Sequence, residues 1–162
     1  MRAFALLAFV LLTGCASSVQ TPEASGATPG PVTSDPVAQV KATIATLFDG
    51  MRAGDSTMVR STFHPDMRLN TVAQDGEGYR LVGGDAERFL QAVGTPHDEA
   101  WDERIGEIDV RVDAGLATAW MAYRFYVGDT FSHCGVNSMQ LARLDGRWQI
   151  VSLVDTRRQA CE

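Results

Sequence analysis

Asp155 and Arg157 stand two residues apart near the end of a run, Trp148 to Arg158, that has the alternating character of a strand. Residues i and i+2 of a strand point to one face, so this carboxylate and guanidinium lie side by side. Two kinds of chemistry follow. Burial among apolar side chains drives a carboxyl toward neutrality and suits it to acid–base work. An adjacent guanidinium instead lowers its pKa and makes an ion pair, which would close the open end of a cavity. Tyr123, Arg104, Ser138 and Gln140 are expected on the same face, together with Cys134. A few polar groups converging on an apolar cavity describe a small-molecule site. Asp155 is therefore the candidate acid or base, and Tyr123, Arg104, Ser138, Gln140 and Arg157 are the candidate binding residues.

The other reactive side chains are dispersed. His64 precedes a proline and reads as a helix-stop residue, His97 falls in a loop, and His133 is expected on the opposite face, across from Arg124. No spacing among His, Cys, Asp and Glu fits a metal centre, and there is no glycine-rich phosphate loop, so neither metal nor cofactor is expected. No histidine is placed to activate Cys134, which argues against a thiol nucleophile. Cys134 and Cys161 are expected to form a disulfide, stabilising by roughly 3–4 kcal/mol in the chain-entropy model; two free thiols are the alternative. The strand count sets Cys134 against Arg157, so the tail must curl back to bring Cys161 within reach.

These faces follow from turns. Asp113-Ala114-Gly115, Gly128-Asp129 and Asp145-Gly146 punctuate Trp101 to Arg158 and predict a four-strand antiparallel meander. Closed as hairpins, the turns pair Asp113 with Leu116, Val127 with Thr130 and Leu144 with Arg147, and the period of two carries the faces along each strand. One face holds Ile108, Val110, Val112, Ala117, Ala119, Met121, Tyr123, Phe125, Val136, Val151 and Leu153, and is expected to be concave and covered by helices. The opposite face holds Glu103, Glu107, Asp109, Arg111, Arg124 and His133, with Trp120, Tyr126, Met139, Leu141, Trp148 and Ile150. Its apolar part reads as a partner surface. A one-residue bulge would move His133 inward and Cys134 outward.

Upstream, Val37, Val40, Ile44, Leu47, Phe48 and Met51 fall at helical spacing and predict a helix over Pro36 to Ala53, capped by Asp35 and ended by Gly54. Asp55 caps a second helix with Met58, Val59 and Phe63 facing inward, stopped by His64-Pro65. Met67–Val72 and Tyr79–Val82 read as a short hairpin around Asp75-Gly76, and Asp85–Val93 as a third helix carrying Phe89, Leu90 and Val93.

Met1-Arg2 and the apolar run Ala3 to Leu12 form a signal-peptide start too short to span a bilayer as a permanent helix. Leu12-Thr13-Gly14-Cys15 resembles the bacterial lipobox, which implies acylation of Cys15 and a membrane anchor of several lipid chains, such as palmitate. Ala16 after that cysteine favours sorting to the outer membrane, facing the periplasm. The Ser-, Thr-, Pro- and Gly-rich stretch 16–35 reads as a flexible tether, leaving 36–162 as one domain. The chain carries a net charge of −6 and no basic patch, which excludes nucleic acid as the expected partner.

The opening Leu47-Phe48-Asp49-Gly50-Met51-Arg52-Ala53-Gly54-Asp55, the turn Phe63-His64-Pro65-Asp66 and the ending Leu144-Asp145-Gly146-Arg147-Trp148-Gln149-Ile150-Val151 resemble the nuclear transport factor 2-like superfamily. The resemblance implies an α+β cone, with three helices packed on a strongly curved antiparallel sheet, and makes a homodimer through the outer sheet face an expectation. It covers the whole domain but hosts binders, adaptors and enzymes alike. SnoaL-like enzymes of this superfamily use a pocket carboxylate, which would be Asp155. The tyrosine that ketosteroid isomerases draw from the first helix is missing here, where Leu47 and Phe48 stand. The expectation is therefore a lipid-anchored envelope domain that binds a small apolar or amphipathic ligand without catalysis. A protein-interaction module and a SnoaL-like isomerase, cyclase or dehydratase are the alternatives.

Overall fold

Asp35 caps the first helix, α1 (Pro36–Ala53), by accepting the Val37 N–H at 2.9 Å, with Pro36 supplying the preset φ of a first helical residue. The helix stops at Gly54, whose left-handed φ of 65° favours glycine. Asp55 then caps α2 (Ser56–Ser61). The chain continues as β1 (Phe63–Asp75), β2 (Gly78–Gly84), α3 (Ala86–Gly94), β3 (Trp101–Ile105), β4 (Asp109–Asp113), β5 (Leu116–Val127), β6 (Thr130–Leu144) and β7 (Arg147–Thr156). This computed structural model describes residues 35–161; the expected signal segment, the expected acylation site Cys15 and the expected tether up to residue 34 lie outside them.

One seven-stranded sheet runs β2-β1-β7-β6-β5-β3, with β4 also pairing β5. Every pairing is antiparallel as expected except β1 with β7, which run parallel and make the sheet mixed. Val40, Ile44, Leu47, Phe48 and Met51 of α1 press onto Met121, Met139, Leu141 and Ile150 to form the core. Two details of the second helix differ from expectation. Met58 is exposed, and His64-Pro65 belong to β1 because α2 has already ended at Ser61.

All three hairpin registers are as expected: Asp113 faces Leu116, Val127 faces Thr130 and Leu144 faces Arg147. Between the turns, three irregularities redirect the side chains. Gly106 to Ile108 oppose only Met121 and Ala122, splitting the expected first strand into β3 and β4 and reversing the faces of β3. Ser132 is an extra residue between the pairs Tyr126–Phe131 and Phe125–His133, which reverses β6. Val151 is an extra residue between Leu141–Ile150 and Gln140–Ser152, which reverses the assignment again along β7.

These extra residues set which way each side chain points. Arg104, Ser138, Gln140, Cys134 and Val136 point away from α1, not toward it. Glu103, His133, Met139, Leu141 and Ile150 turn inward, and Trp148 is buried. Leu153 and Asp155 keep their expected inner positions because the extra residues Ser132 and Val151 cancel.

Candidate functional site

Asp155 is 6% exposed and sits at the centre of a polar cluster on the inner face. Its Oδ1 accepts the Thr71 hydroxyl at 2.5 Å, and its Oδ2 accepts Arg157 Nε at 2.8 Å and the Tyr123 hydroxyl at 3.4 Å. The Tyr123 hydroxyl lies closer to the Thr156 carbonyl, at 2.9 Å. The position of Tyr123 depends on Gly135 in the next strand. A Cβ on Gly135 would stand 1.8 Å from the Thr156 carbonyl oxygen and 2.8 Å from the Tyr123 ring. Burial, followed by the nearby charges of Asp155 and Glu103, raises the Tyr123 pKa, so its hydroxyl is a donor throughout the neutral range.

Glu103 is the second carboxyl of the site. Its Oε1 accepts Asn137 Nδ2 at 2.6 Å, and Asn137 is 3% exposed. Glu103 is only half-buried as a residue, but its carboxyl reaches inward to that amide. Desolvation pushes its pKa up to about 7; the Asn137 hydrogen bond opposes the rise and the charge of Asp155 adds to it. Partial desolvation on its inner side lowers the Arg157 pKa, but the hydrogen bond and charge of Asp155 outweigh this and hold it above the ordinary value.

Glu103, Asn137, Asp155 and Arg157 meet at one end of a cavity of about 70 Å³ whose other walls are Leu47, Phe48, Met51, Phe63, Leu69, Phe89 and Leu153. That volume holds a small number of water molecules and falls well short of a drug-sized ligand pocket. Phe63 and Phe89, with ring centroids 6.3 Å apart, close one side. Elsewhere on the inner face, His133 packs between Phe125 (5.1 Å) and Tyr123 (5.7 Å), and Phe125 continues to Trp101 at 6.2 Å. Burial, then the charge of Arg157, lowers the His133 pKa.

Of the residues expected to form a site, the structure brings together Asp155, Arg157 and Tyr123. It separates Arg104, which is exposed, bonds Asp102 at 2.7 Å and lies over the Tyr126 ring. It also separates Ser138 and Gln140, on the outer face. Cys134 and Cys161 are joined by a disulfide on that outer side, where Cys134 pairs with Arg158, one residue beyond the expected Arg157. Sequence reasoning missed Glu103, Asn137 and Thr71. Gly106, an isolated glycine inside a strand pattern, was the available signal of the irregularity that turns Glu103 inward. Nothing comparable marks Ser132.

Among the described residues, no group of three or more His, Cys, Asp and Glu side chains could hold a metal ion. What the cluster can do is bind and exchange protons. Asp155 has both oxygens engaged by donors, so it acts as a fixed acceptor, whereas Glu103 is held by Asn137 and borders the cavity.

Residues 35–154 match the family described as putative lumazine-binding. Solved structures share the fold. A nuclear transport factor 2-like protein of unknown function from Shewanella baltica is 17% identical with a TM-score of 0.58, covering 76% of this chain and 94% of its own. A nuclear transport factor 2-like protein with a cystatin-like fold from Novosphingobium aromaticivorans is 14% identical with a TM-score of 0.61, over 77% and 83%. A putative scytalone dehydratase from the same organism is 12% identical with a TM-score of 0.60, over 76% and 84%. At these identities the likeness is one of fold. No curated protein matches the chain in sequence.

Proposed function

We propose, on the premise that this chain belongs to the putative lumazine-binding family within the nuclear transport factor 2-like fold, that it is an envelope domain that binds a small, flat, amphipathic molecule without transforming it. One observation carries this reading: Glu103, Asn137, Asp155 and Arg157 converge on one end of an otherwise apolar cavity. A planar heterocycle with hydrogen-bonding groups along one edge answers both halves of that wall. The lumazine ring of the family description is of this kind, with an imide N–H to donate to Glu103 and a carbonyl to accept from Arg157. At about 70 Å³ the cavity is too small for such a ring as it stands, so binding requires it to widen, and the wall formed by Phe63 and Phe89 is where we expect it to give. Helix α3, which buries only Leu90 and Val93, is the element placed to move.

Calorimetric titration of the protein with lumazine tests this. Saturable binding is expected, weakened about tenfold by Arg157→Ala, which corresponds to roughly 1.4 kcal/mol. No saturable heat at millimolar lumazine rejects this ligand class. Anchoring through an acylated Cys15 completes the proposal, and Cys15→Ser should shift the protein from the membrane fraction to the soluble one.

The Glu103 carboxyl favours a second reading, in which the cone carries out a proton-transfer reaction such as an isomerisation, cyclisation or dehydration. A carboxyl with a pKa near 7 can both give and take a proton at neutral pH, while the two oxygens of Asp155 are occupied by Thr71 and Arg157. This moves the acid–base role from Asp155 to Glu103. It requires that a molecule co-purifying with the protein be converted by wild type and left unchanged by Glu103→Gln.

A further inference from the structure

With Met139, Leu141, Trp148 and Ile150 turned inward, the outer face is no broad apolar patch. Trp120 is left there, 58% exposed, in polar company. The register sets Asp109 on one side of it and Ser138 on the other; one row along, Thr118 lies between Arg111 and Gln140. Trp120, Asp109, Arg111, Thr118 and Ser138 border a shallow cleft of about 410 Å³.

We propose that this cleft is a binding platform for a neutral pyranose glycan, with the Trp120 indole as its floor and the short polar side chains as its rim. A pyranose ring has one face of C–H groups, which rests on an aromatic ring, and an equatorial belt of hydroxyls, which need donors and acceptors around that ring. Ser138 and Thr118 offer hydroxyls, Gln140 an amide, and Asp109 and Arg111 an acceptor and a donor. Asp109 and Arg111 also pair with each other at 3.7 Å, so the rim has no net charge and favours neither an anionic nor a cationic sugar. A second copy of this chain packed over that one indole would have to desolvate the exposed Asp109 and Arg111 side chains, whereas the hydroxyl belt of a sugar hydrogen-bonds to them.

Saturation-transfer NMR with the N-acetylglucosamine tetramer, cellotetraose and maltotetraose tests the proposal. At least one probe should receive magnetisation from the protein, and Trp120→Ala should weaken its binding by about tenfold or more, whereas Trp120→Phe should keep it within about threefold. Trp120 carries little of the core, so both variants should retain the wild-type circular dichroism. Transfer to none of the three probes overturns the platform, as does binding that Trp120→Ala leaves unchanged. A protein that sediments as a dimer, dissociated by Trp120→Ala and unaffected by the probes, would make the face an interface between copies and also overturn it.

Discussion

Asp155 accepts from three side chains, and the worth of each depends on how dry it is. Arg157 is 57% exposed, so solvent screens its pairing with Asp155 and leaves it modest. Thr71 donates from the protected side, where a hydrogen bond to a carboxylate is worth about 1.5–3 kcal/mol, while the single Tyr123 hydroxyl proton is aimed chiefly at the Thr156 carbonyl. Asp155→Asn should therefore cost about 2 kcal/mol in urea denaturation, and Arg157→Ala clearly less; equal losses would show that the ion pair dominates. Glu103 gives a different signature. Its folded pKa of about 7 lies above its ordinary 4.5, so between those values the native state holds a proton that the unfolded chain releases. Stability should fall as pH rises through that window, by on the order of 3 kcal/mol, and level off above it. Glu103→Gln should remove this slope; a slope unchanged in the variant would assign it to another group.

At the scale of strands, three irregularities position the site. Gly135 lets β6 approach Thr156 closely, so Gly135→Ala should cost about 3 kcal/mol or more and displace Tyr123, read as a lower melting temperature and a changed tyrosine environment in near-ultraviolet circular dichroism. A variant of unchanged stability would mean that β6 and Thr156 separate at little cost. The three helices, the caps Asp35 and Asp55 and all three hairpin registers were legible in the sequence, because periodicity, capping residues and turn chemistry act within a few residues; the end of α2 and the cap Asp85 were not. The turn at Asp145-Gly146, with φ of 50° and 79°, is a clear case. The faces were legible only up to the first extra residue. An unmarked serine at position 132 inverted most of β6, hiding Asn137 and His133 and misplacing Ser138 and Gln140. Asp155 was found because Val151 reversed that inversion. A bulge is selected by how strands bend around the core, which depends on partners far away in sequence, and local composition need not announce it.

At the scale of the molecule, the disulfide ties the segment after β7 to the sheet through Cys134, with Arg158 hydrogen-bonded both ways to the Cys134 backbone at 2.9 Å. Arg157 is thus held between its Asp155 partner and a pinned neighbour. For a sequence separation of 27 residues, the chain-entropy model gives about 3.5 kcal/mol. Cys161→Ser should lose on that order and weaken any ligand held by Arg157; an unchanged affinity would show that the ion pair alone orders that side chain. The parallel pairing of β1 with β7 carries a consequence in time. Thr71 and Asp155 are 84 residues apart in sequence, yet their strands are neighbours. Loop-closure entropy makes such a contact a late one, so the β1–β2 hairpin has no partner until most of the sheet exists. Pulsed hydrogen exchange during refolding should show the amides of Arg68 to Val72 in β1 gaining protection in the slowest phase, after those of β5 and β6; simultaneous protection would sink this order. Assembly of the candidate site and completion of the sheet are then one kinetic event, and a partly folded chain has neither.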